Sequence, residues 1–178
     1  MRSFFLIILL LFNLSSFNYS VPQTESSNQE KIQVTHDEDK NVTQVMLIGI
    51  KIPNNKDNFS IGAAFMYEGK VLTERPCCVT LFMNSFSTGD QRYEKNHELI
   101  LWADGEQLRS GPINYKWDLL GLWIQETLWI DIPYEKFFKL ANCKKAKAQL
   151  GSFKFDLTRE QLEGFRELES RMNPQKVA

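Results

Sequence analysis

Apolar and polar side chains alternate along much of the chain between residues 43 and 132, with the period of two expected of half-buried β-strands. The clearest runs are MLIGIKI, FSIGAAFMY, CCVTLFMNSF and LWIQETLWIDI, and turn-forming residues separate them. The predicted core faces are Met46, Ile48, Ile50 and Ile52; Phe59, Ile61, Ala63, Phe65 and Tyr67; and Leu122, Ile124, Leu128, Ile130 and Ile132. Short strands at this spacing predict a mainly antiparallel sheet or sandwich.

Two glycine-containing turns predict hairpins with defined registers. Asp104-Gly105 suits a two-residue type I′ turn, because both central positions need positive φ. Gly151-Ser152 is the second two-residue turn. The predicted pairs are Ala103 with Glu106, Leu101 with Leu108 and Leu99 with Ser110 in the first hairpin, and Leu150 with Phe153, Ala148 with Phe155 and Ala146 with Leu157 in the second.

Two segments have the helical period instead. Pro133 predicts the start of a short helix over residues 133–142, since its missing N–H costs nothing in a first turn. Thr158 and Gln161 form a capping box that starts a C-terminal helix over residues 159–172. The apolar stripes are Tyr134, Phe137, Phe138 and Ala141, then Leu162, Phe165, Leu168 and Met172. The predicted fold class is therefore α+β.

The N-terminus predicts export. Arg2 precedes the apolar run Phe4 to Phe12, which fits a signal peptide over residues 1–20 and is too short for a spanning helix of about 20 residues. An uncleaved anchor is the alternative, because no charge follows until Glu25. Residues 21–42 have no apolar period and predict a flexible polar tether. Residues 43–173 form the single β-rich domain, and 174–178 a tail. The expected location is the periplasm, the cell surface or the medium.

The charge balance limits the classes of partner that the sequence predicts. With 21 basic and 22 acidic residues, the net charge is −1, and no global field attracts nucleic acid or an anionic membrane. Phosphate-binding glycine loops are absent. The contiguous HDEDK run that begins at His36 predicts a solvated charged loop, not a metal site. We expect no cofactor, no metal, no nucleic acid, and no membrane contact after signal cleavage.

The three cysteines are candidates for a disulfide, because export permits one. Cys77 and Cys78 are adjacent, and Cys143 lies near the end of the first helix. A bridge between one of the pair and Cys143 is the leading interpretation, and free thiols are the alternative. No C-x-x-C spacing indicates zinc or redox chemistry.

The candidate binding residues are Trp123, Gln125 and Trp129, which share the non-core face of one predicted strand. An aromatic strip with polar neighbours can stack on sugars or anchor a protein. The alternative is that another layer covers this face. Trp102 has the same two interpretations.

Catalytic signatures are sparse. His97 is the histidine outside the tether, and no nucleophile elbow accompanies it. Asp104, Glu126 and Asp131 are available carboxylates, of which Glu126 is notable for falling on a core-facing position; a bulge or a sheet edge would explain it. The leading function is a non-catalytic binding or interaction module of the cell envelope with an unknown protein or carbohydrate partner. The alternative is a small exported hydrolase using carboxylates or His97.

The segment from Phe137 to Leu168 resembles the C-terminal part of small exported bacterial proteins of unassigned function. The resemblance lies in a short helix that ends in Ala-Asn, a strand, a Leu-Gly-Ser turn, a second strand and a final helix. The matching residues are Ala141, Asn142, Leu150, Gly151, Ser152, Leu157 and Leu162. It implies a bacterial envelope location and brings no active site.

Overall fold

A computed structural model of the chain describes residues 31–53 and 58–174. The elements in these residues are β1 (Ile32–Asp37), β2 (Val42–Lys51), β3 (Ser60–Glu68), β4 (Cys78–Ser87), β5 (Glu98–Ala103), β6 (Glu106–Pro112), β7 (Asn114–Leu120), β8 (Trp123–Pro133), α1 (Tyr134–Asn142), β9 (Ala146–Leu150), β10 (Phe153–Asp156) and α2 (Arg159–Ser170). The strands form two antiparallel sheets, ordered β1-β2-β3-β4-β8-β7 and β10-β9-β5-β6. The predicted α+β fold, mainly antiparallel and sandwich-like, is confirmed.

One hydrophobic core joins both sheets and both helices. On β3 the predicted face is confirmed, because Ile61, Ala63 and Phe65 are buried and Phe59 just before them is fully enclosed. Helix α1 has the predicted extent. Its buried residues include Leu140 in place of the predicted Phe138, because Phe138 is exposed.

The C-terminal unit follows its sequence closely. Strands β9 and β10 pair in the predicted register, and the Leu157 N–H donates to the Ala146 carbonyl at 3.0 Å. Thr158 and Gln161 form the capping box. The amide Nε2 of Gln161 also donates to the Lys51 carbonyl at 3.1 Å, which attaches α2 to the end of β2.

The predicted core face of β2 is wrong over most of the strand. Val45 and Leu47 are buried, whereas Met46 is half-buried and Ile48 is exposed. Leu47 pairs with Ala63 but Ile50 pairs with Ile61, so β2 has one extra residue between these pairs. A bulge of this kind reverses the parity of a strand. Only Ile50 and Ile52, beyond the bulge, follow the predicted pattern.

The β5–β6 hairpin has the predicted turn and a shifted register. Asp104 and Gly105 both have positive φ, and Ala103 pairs with Glu106. Beyond Trp102, however, Leu101 pairs with Arg109 and Leu99 with Gly111, because β6 has an extra residue at Leu108. No glycine or proline marks position 108, so the local sequence did not reveal this bulge.

The predicted tether is wrong for its C-terminal half. Residues 32–37 form β1, which pairs with β2 from Ile32–Leu47 to Asp37–Val42. A single buried side chain, Ile32, and the backbone ladder suffice to order this edge strand, although it lacks an apolar period. The HDEDK run contributes the end of β1 and the turn to β2. The predicted signal peptide and residues 21–30 lie outside the described residues.

Candidate functional site

The three predicted binding residues lie on one face of β8 but differ in exposure. Trp123 is 48% exposed, while Gln125 and Trp129 are half-buried. Trp129 lies in register with Phe82 on β4 and Asn114 on β7, and the Asn114 amide donates to its carbonyl oxygen at 3.3 Å. Trp129 therefore belongs to the body of the sheet, and Trp123 is the accessible member of the strip.

A larger apolar surface surrounds Trp123 at the β7–β8 turn. Gly121, with φ of 64°, and Leu122 form a two-residue turn that pairs Leu120 with Trp123. We name the exposed apolar side chains here the tip patch: Trp117 (44% exposed), Leu119 (65%), Leu120 (50%), Leu122 (87%) and Trp123. The prediction that Leu122 is a core residue is wrong, because Leu122 lies in the turn and not in the strand.

The tip patch is exposed because the hairpin extends past β4 and because β7 is an edge strand. The last residue of β4, Ser87, pairs with Ile124, so Leu120 to Trp123 lie beyond the end of β4. On its other side β7 is the edge of the six-stranded sheet. Leu119 pairs with Ile124 and Leu120 with Trp123, and successive residues point to opposite faces. Apolar side chains are thus exposed on both faces of the hairpin.

Glu126 is the centre of a buried polar cluster. Its side chain is fully buried, and its carboxylate accepts hydrogen bonds from the backbone N–H groups of Arg92 (3.0 Å) and Tyr93 (2.8 Å) and from the Tyr115 hydroxyl (2.9 Å). Glu126 pairs without a register shift with residues of β4 and β7. The expected explanation by a bulge or a sheet edge is therefore wrong, since hydrogen bonds to the 88–97 loop explain its burial.

His97 lies beside this cluster. Its ring stacks on Tyr115, with centroids 5.6 Å apart and an interplanar angle of 9°, and Nδ1 is 3.1 Å from the Glu94 carbonyl oxygen. Burial, followed by the hydrogen bond to Glu126, raises the pKa of the Tyr115 hydroxyl. Tyr115 is therefore a neutral donor to Glu126 at physiological pH, and His97 covers its ring.

The geometry of this cluster suits a structural role better than hydrolysis. Glu126 has no exposed surface, and its oxygens already accept several hydrogen bonds. Ser85, which pairs with Glu126 across β4 and β8, is also fully buried. A general base must come within hydrogen-bond reach of substrate. These groups fasten the 88–97 loop to the sheet.

The other carboxylates noted in the sequence also have structural partners. The Asp104 carboxylate accepts hydrogen bonds from the backbone N–H groups of Lys144 and Lys145 at 2.9 to 3.2 Å, which lower its pKa. Asp131 accepts a hydrogen bond from the Thr80 hydroxyl across the β4–β8 pair.

All three thiols are free, and the candidate bridge to Cys143 is not formed. Cys143 is buried and its thiol donates to the Leu140 carbonyl at 3.1 Å, while Cys77 and Cys78 are exposed. Partial desolvation of its sulfur, followed by the hydrogen bond with the neighbouring Cys77, raises the pKa of Cys78 to about 11. A thiol in that state is a weak nucleophile at neutral pH.

The outer face of the four-stranded sheet has a shallow concavity of about 700 Å³. Trp102 lies in it with Lys147 and Lys154, and Asp156 approaches Lys147 to 3.7 Å. Charges of both signs line this surface, so it has no marked preference for an anion or a cation.

Within residues 31–53 and 58–174, no group of three or more His, Cys, Asp or Glu side chains is arranged to hold a metal ion. In the same ranges, no helix has the length and apolarity needed to span a bilayer. Comparisons of the chain with protein-family models, with curated proteins and with solved structures returned no significant match.

Sequence reasoning found Trp123 but missed Trp117, Leu119 and Leu120. The missed signal is LLGLW, in which a Gly-x turn is flanked by apolar residues of both parities. Alternation alone assigns the apolar residues of one parity to a core, even where the residues lie in or beside an exposed turn.

Proposed function

We propose that the protein is an exported, non-catalytic interaction module of the cell envelope, and that the tip patch is its contact surface. The observation that carries the proposal is the exposure of five large apolar side chains on both faces of the β7–β8 hairpin, three of which lie beyond the end of β4. Scattered single apolar residues on a surface need no explanation, whereas a contiguous group marks an interaction site.

The composition of the tip patch favours an apolar partner over a carbohydrate. Sugar recognition combines an aromatic ring with polar groups that bind hydroxyls. Leucine supplies no such group, and three of the five residues in the patch are leucines. Gln125 is the nearest polar neighbour along β8, and it is half-buried in the sheet.

Export rests on the N-terminal apolar run. Replacing Leu9 and Leu10 by Arg should leave the chain in the cytosol of the producing cell, because two charges interrupt the nine-residue apolar core. Fractionation followed by immunoblotting measures this. The control is the double change Ser15→Thr with Ser16→Thr, beyond the run. Equal export of the arginine variant and the parent chain would contradict the proposal.

Contact through the tip patch can be tested inside the producing cell. Benzoylphenylalanine incorporated in place of Leu122 should form photo-adducts with an envelope component, because this side chain is the most exposed apolar group of the described residues. The same amino acid in place of Val34 is the matched control, since Val34 is 56% exposed on β1 at the opposite edge of the sheet.

Adducts formed from position 122 and not from position 34 would support the proposal. Equal adduct formation from both positions, or none from either, would overturn it. Mass spectrometry of the adduct identifies whether the attached group is a peptide or an acyl chain.

A further inference from the structure

We infer that the tip patch docks onto a lipid surface, with Leu122, Leu120 and Trp123 inserted deepest and Leu119 and Trp117 nearer the headgroups. This inference rests on the proposed function and names the partner of the same surface. It departs from the expectation of no membrane contact. That expectation came from the net charge, which governs long-range attraction and not insertion of apolar side chains.

The shape of the hairpin suits a fluid apolar phase. The leucines are exposed on both faces of the hairpin and at the turn, so a phase that surrounds the tip covers more of them than a partner that contacts one face. Leu122 is outermost, Leu120 and Trp123 pair next to the turn, and Leu119 and then Trp117 follow toward the sheet. Leucine favours the hydrocarbon, and tryptophan accumulates at membrane–water interfaces. Leu122 and Trp117, at the two ends of the patch, match that division.

The length of the projecting part matches the depth of the interface. From the Leu119–Ile124 pair to the turn, the strands advance two residues, or about 7 Å. Interfacial segments insert their apolar side chains about 5–10 Å below the headgroups. The backbone of Leu120 and Trp123 is paired within the hairpin, so insertion of the tip does not require breaking the ladder.

Charge around the tip patch indicates that apolar burial drives the contact. No charged residue occurs between Asp118 and Glu126, and Glu126 is buried. Asp118 forms an ion pair with Lys116 at 2.9 Å, which offsets the nearest exposed charge. The predicted docking therefore requires no anionic lipid and persists in high salt.

The position of Lys31 places the N-terminal segment at the same end of the sheet. The Ile48 N–H donates to the Lys31 carbonyl at 2.9 Å, so the chain enters β1 at the end where β2 approaches Lys51. Lys51 pairs with Ser60, Ser60 with Asn84, and Asn84 with Thr127, which places the β7–β8 turn at that same end. The two points lie on opposite edges, about 24 Å apart across six strands.

Eighteen residues separate Phe12 from Lys31, and their maximum reach is about 60 Å. That reach exceeds the width of the sheet whatever its twist. An apolar run held in a bilayer would therefore allow the tip patch to contact the same bilayer. Because Lys31 and the tip patch are at the same end of the sheet, both can face one bilayer.

The test measures tryptophan emission of the full chain on vesicles of phosphatidylcholine with brominated acyl chains, which quench nearby tryptophans. Trp102→Phe with Trp129→Phe leaves Trp117 and Trp123 as the emitting residues. In this background we expect quenching and a blue shift. Both should be lost with Leu119→Ser and Leu122→Ser, and both should persist with Val34→Ser. Because the full chain is used, attachment through residues 4–12 does not by itself place these tryptophans among acyl chains.

The other outcomes overturn the inference. Vesicle-bound chain without quenching, or equal quenching of the leucine variant, excludes insertion of the tip patch. Quenching that needs anionic lipid and disappears in high salt excludes an apolar mechanism. If quenching is absent while position 122 still forms peptide adducts in cells, the proposed interaction module is supported and the inferred lipid partner is excluded. Unchanged thermal unfolding of the serine variants confirms that these exposed changes leave the fold intact.

Discussion

Glu126→Ala should lower the free energy of unfolding by about 3–5 kcal/mol, the largest loss expected from any single polar side chain of the sheet. The substitution removes the acceptor of the Arg92 and Tyr93 backbone N–H groups and of the Tyr115 hydroxyl, all at a fully buried position. Each buried donor that loses its acceptor costs about 1–3 kcal/mol. Urea unfolding followed by tryptophan fluorescence measures the loss.

Two further variants test whether the stability loss comes from the buried hydrogen bonds or from the removal of a negative charge. Tyr115→Phe keeps the ring that stacks on His97 and removes one donor, so its expected cost is about 1–1.5 kcal/mol. Glu98→Ala removes an exposed carboxylate at the start of β5 and should change stability by less than about 0.5 kcal/mol. A Glu126→Ala protein as stable as the Glu98→Ala protein would contradict the structural role of this carboxylate.

Gly62→Ala should destabilise the protein by about 3 kcal/mol, although alanine is usually better than glycine within a strand. A Cβ at this position would lie 2.7 Å from the Leu47 carbonyl oxygen and overlap the ring of Phe82, which covers Gly62. The carbonyl belongs to the backbone of β2, which is paired on both sides, and cannot move without disturbing the ladder. Overpacking of this kind typically costs about 1–3 kcal/mol, and more at rigid sites.

Ala64→Gly is the matched control, because Ala64 lies two residues further along the same face of β3. It removes a Cβ that already fits, and the expected cost is about 1 kcal/mol. Thermal unfolding of both variants gives the comparison. A Gly62→Ala protein with stability equal to or above that of the parent chain would show that Phe82 and Leu47 are placed incorrectly.

The sequence predicts correctly those parts of the fold that depend on residues close together along the chain. The capping box at Thr158, the Gly151-Ser152 turn and the parity of β3 depend on residues adjacent in sequence, and the structure confirms each of them. The β2 face failed because a bulge between Leu47 and Ile50 reverses the alternation. Gly49 lies within that bulge, and an isolated glycine inside a strand pattern is a local sign of a bulge that alternation alone does not use.

The buried cluster and the tip patch needed tertiary information. Glu126 stood out in the sequence, but its partners in the 88–97 loop lie more than 30 residues away. Leu122 has the same parity as Ile124 and was assigned to the core with it, whereas its exposure follows from where β4 ends. A periodic pattern defines faces within a strand and does not indicate where the neighbouring strand stops.

The residues expected to affect stability and those proposed to contact a partner therefore lie in different parts of the β7–β8 hairpin. Glu126, Leu128 and Ile132 are buried and hold the strand between the 88–97 loop and the core. Trp123, at the start of the same strand, and Leu122, in the turn before it, are open to solvent. Changes in the first group should alter unfolding, and changes in the second should alter association while the fold persists.

The most direct measurement of the central proposal is hydroxyl-radical footprinting of the full chain in the intact envelope of the producing cell, compared with the purified chain in detergent-free buffer. Trp117 and Trp123 should lose most of their oxidation in the envelope, while Trp102, on the outer face of the other sheet, should keep its oxidation. Equal oxidation of all three tryptophans in both preparations would contradict the assignment of the tip patch as the contact surface.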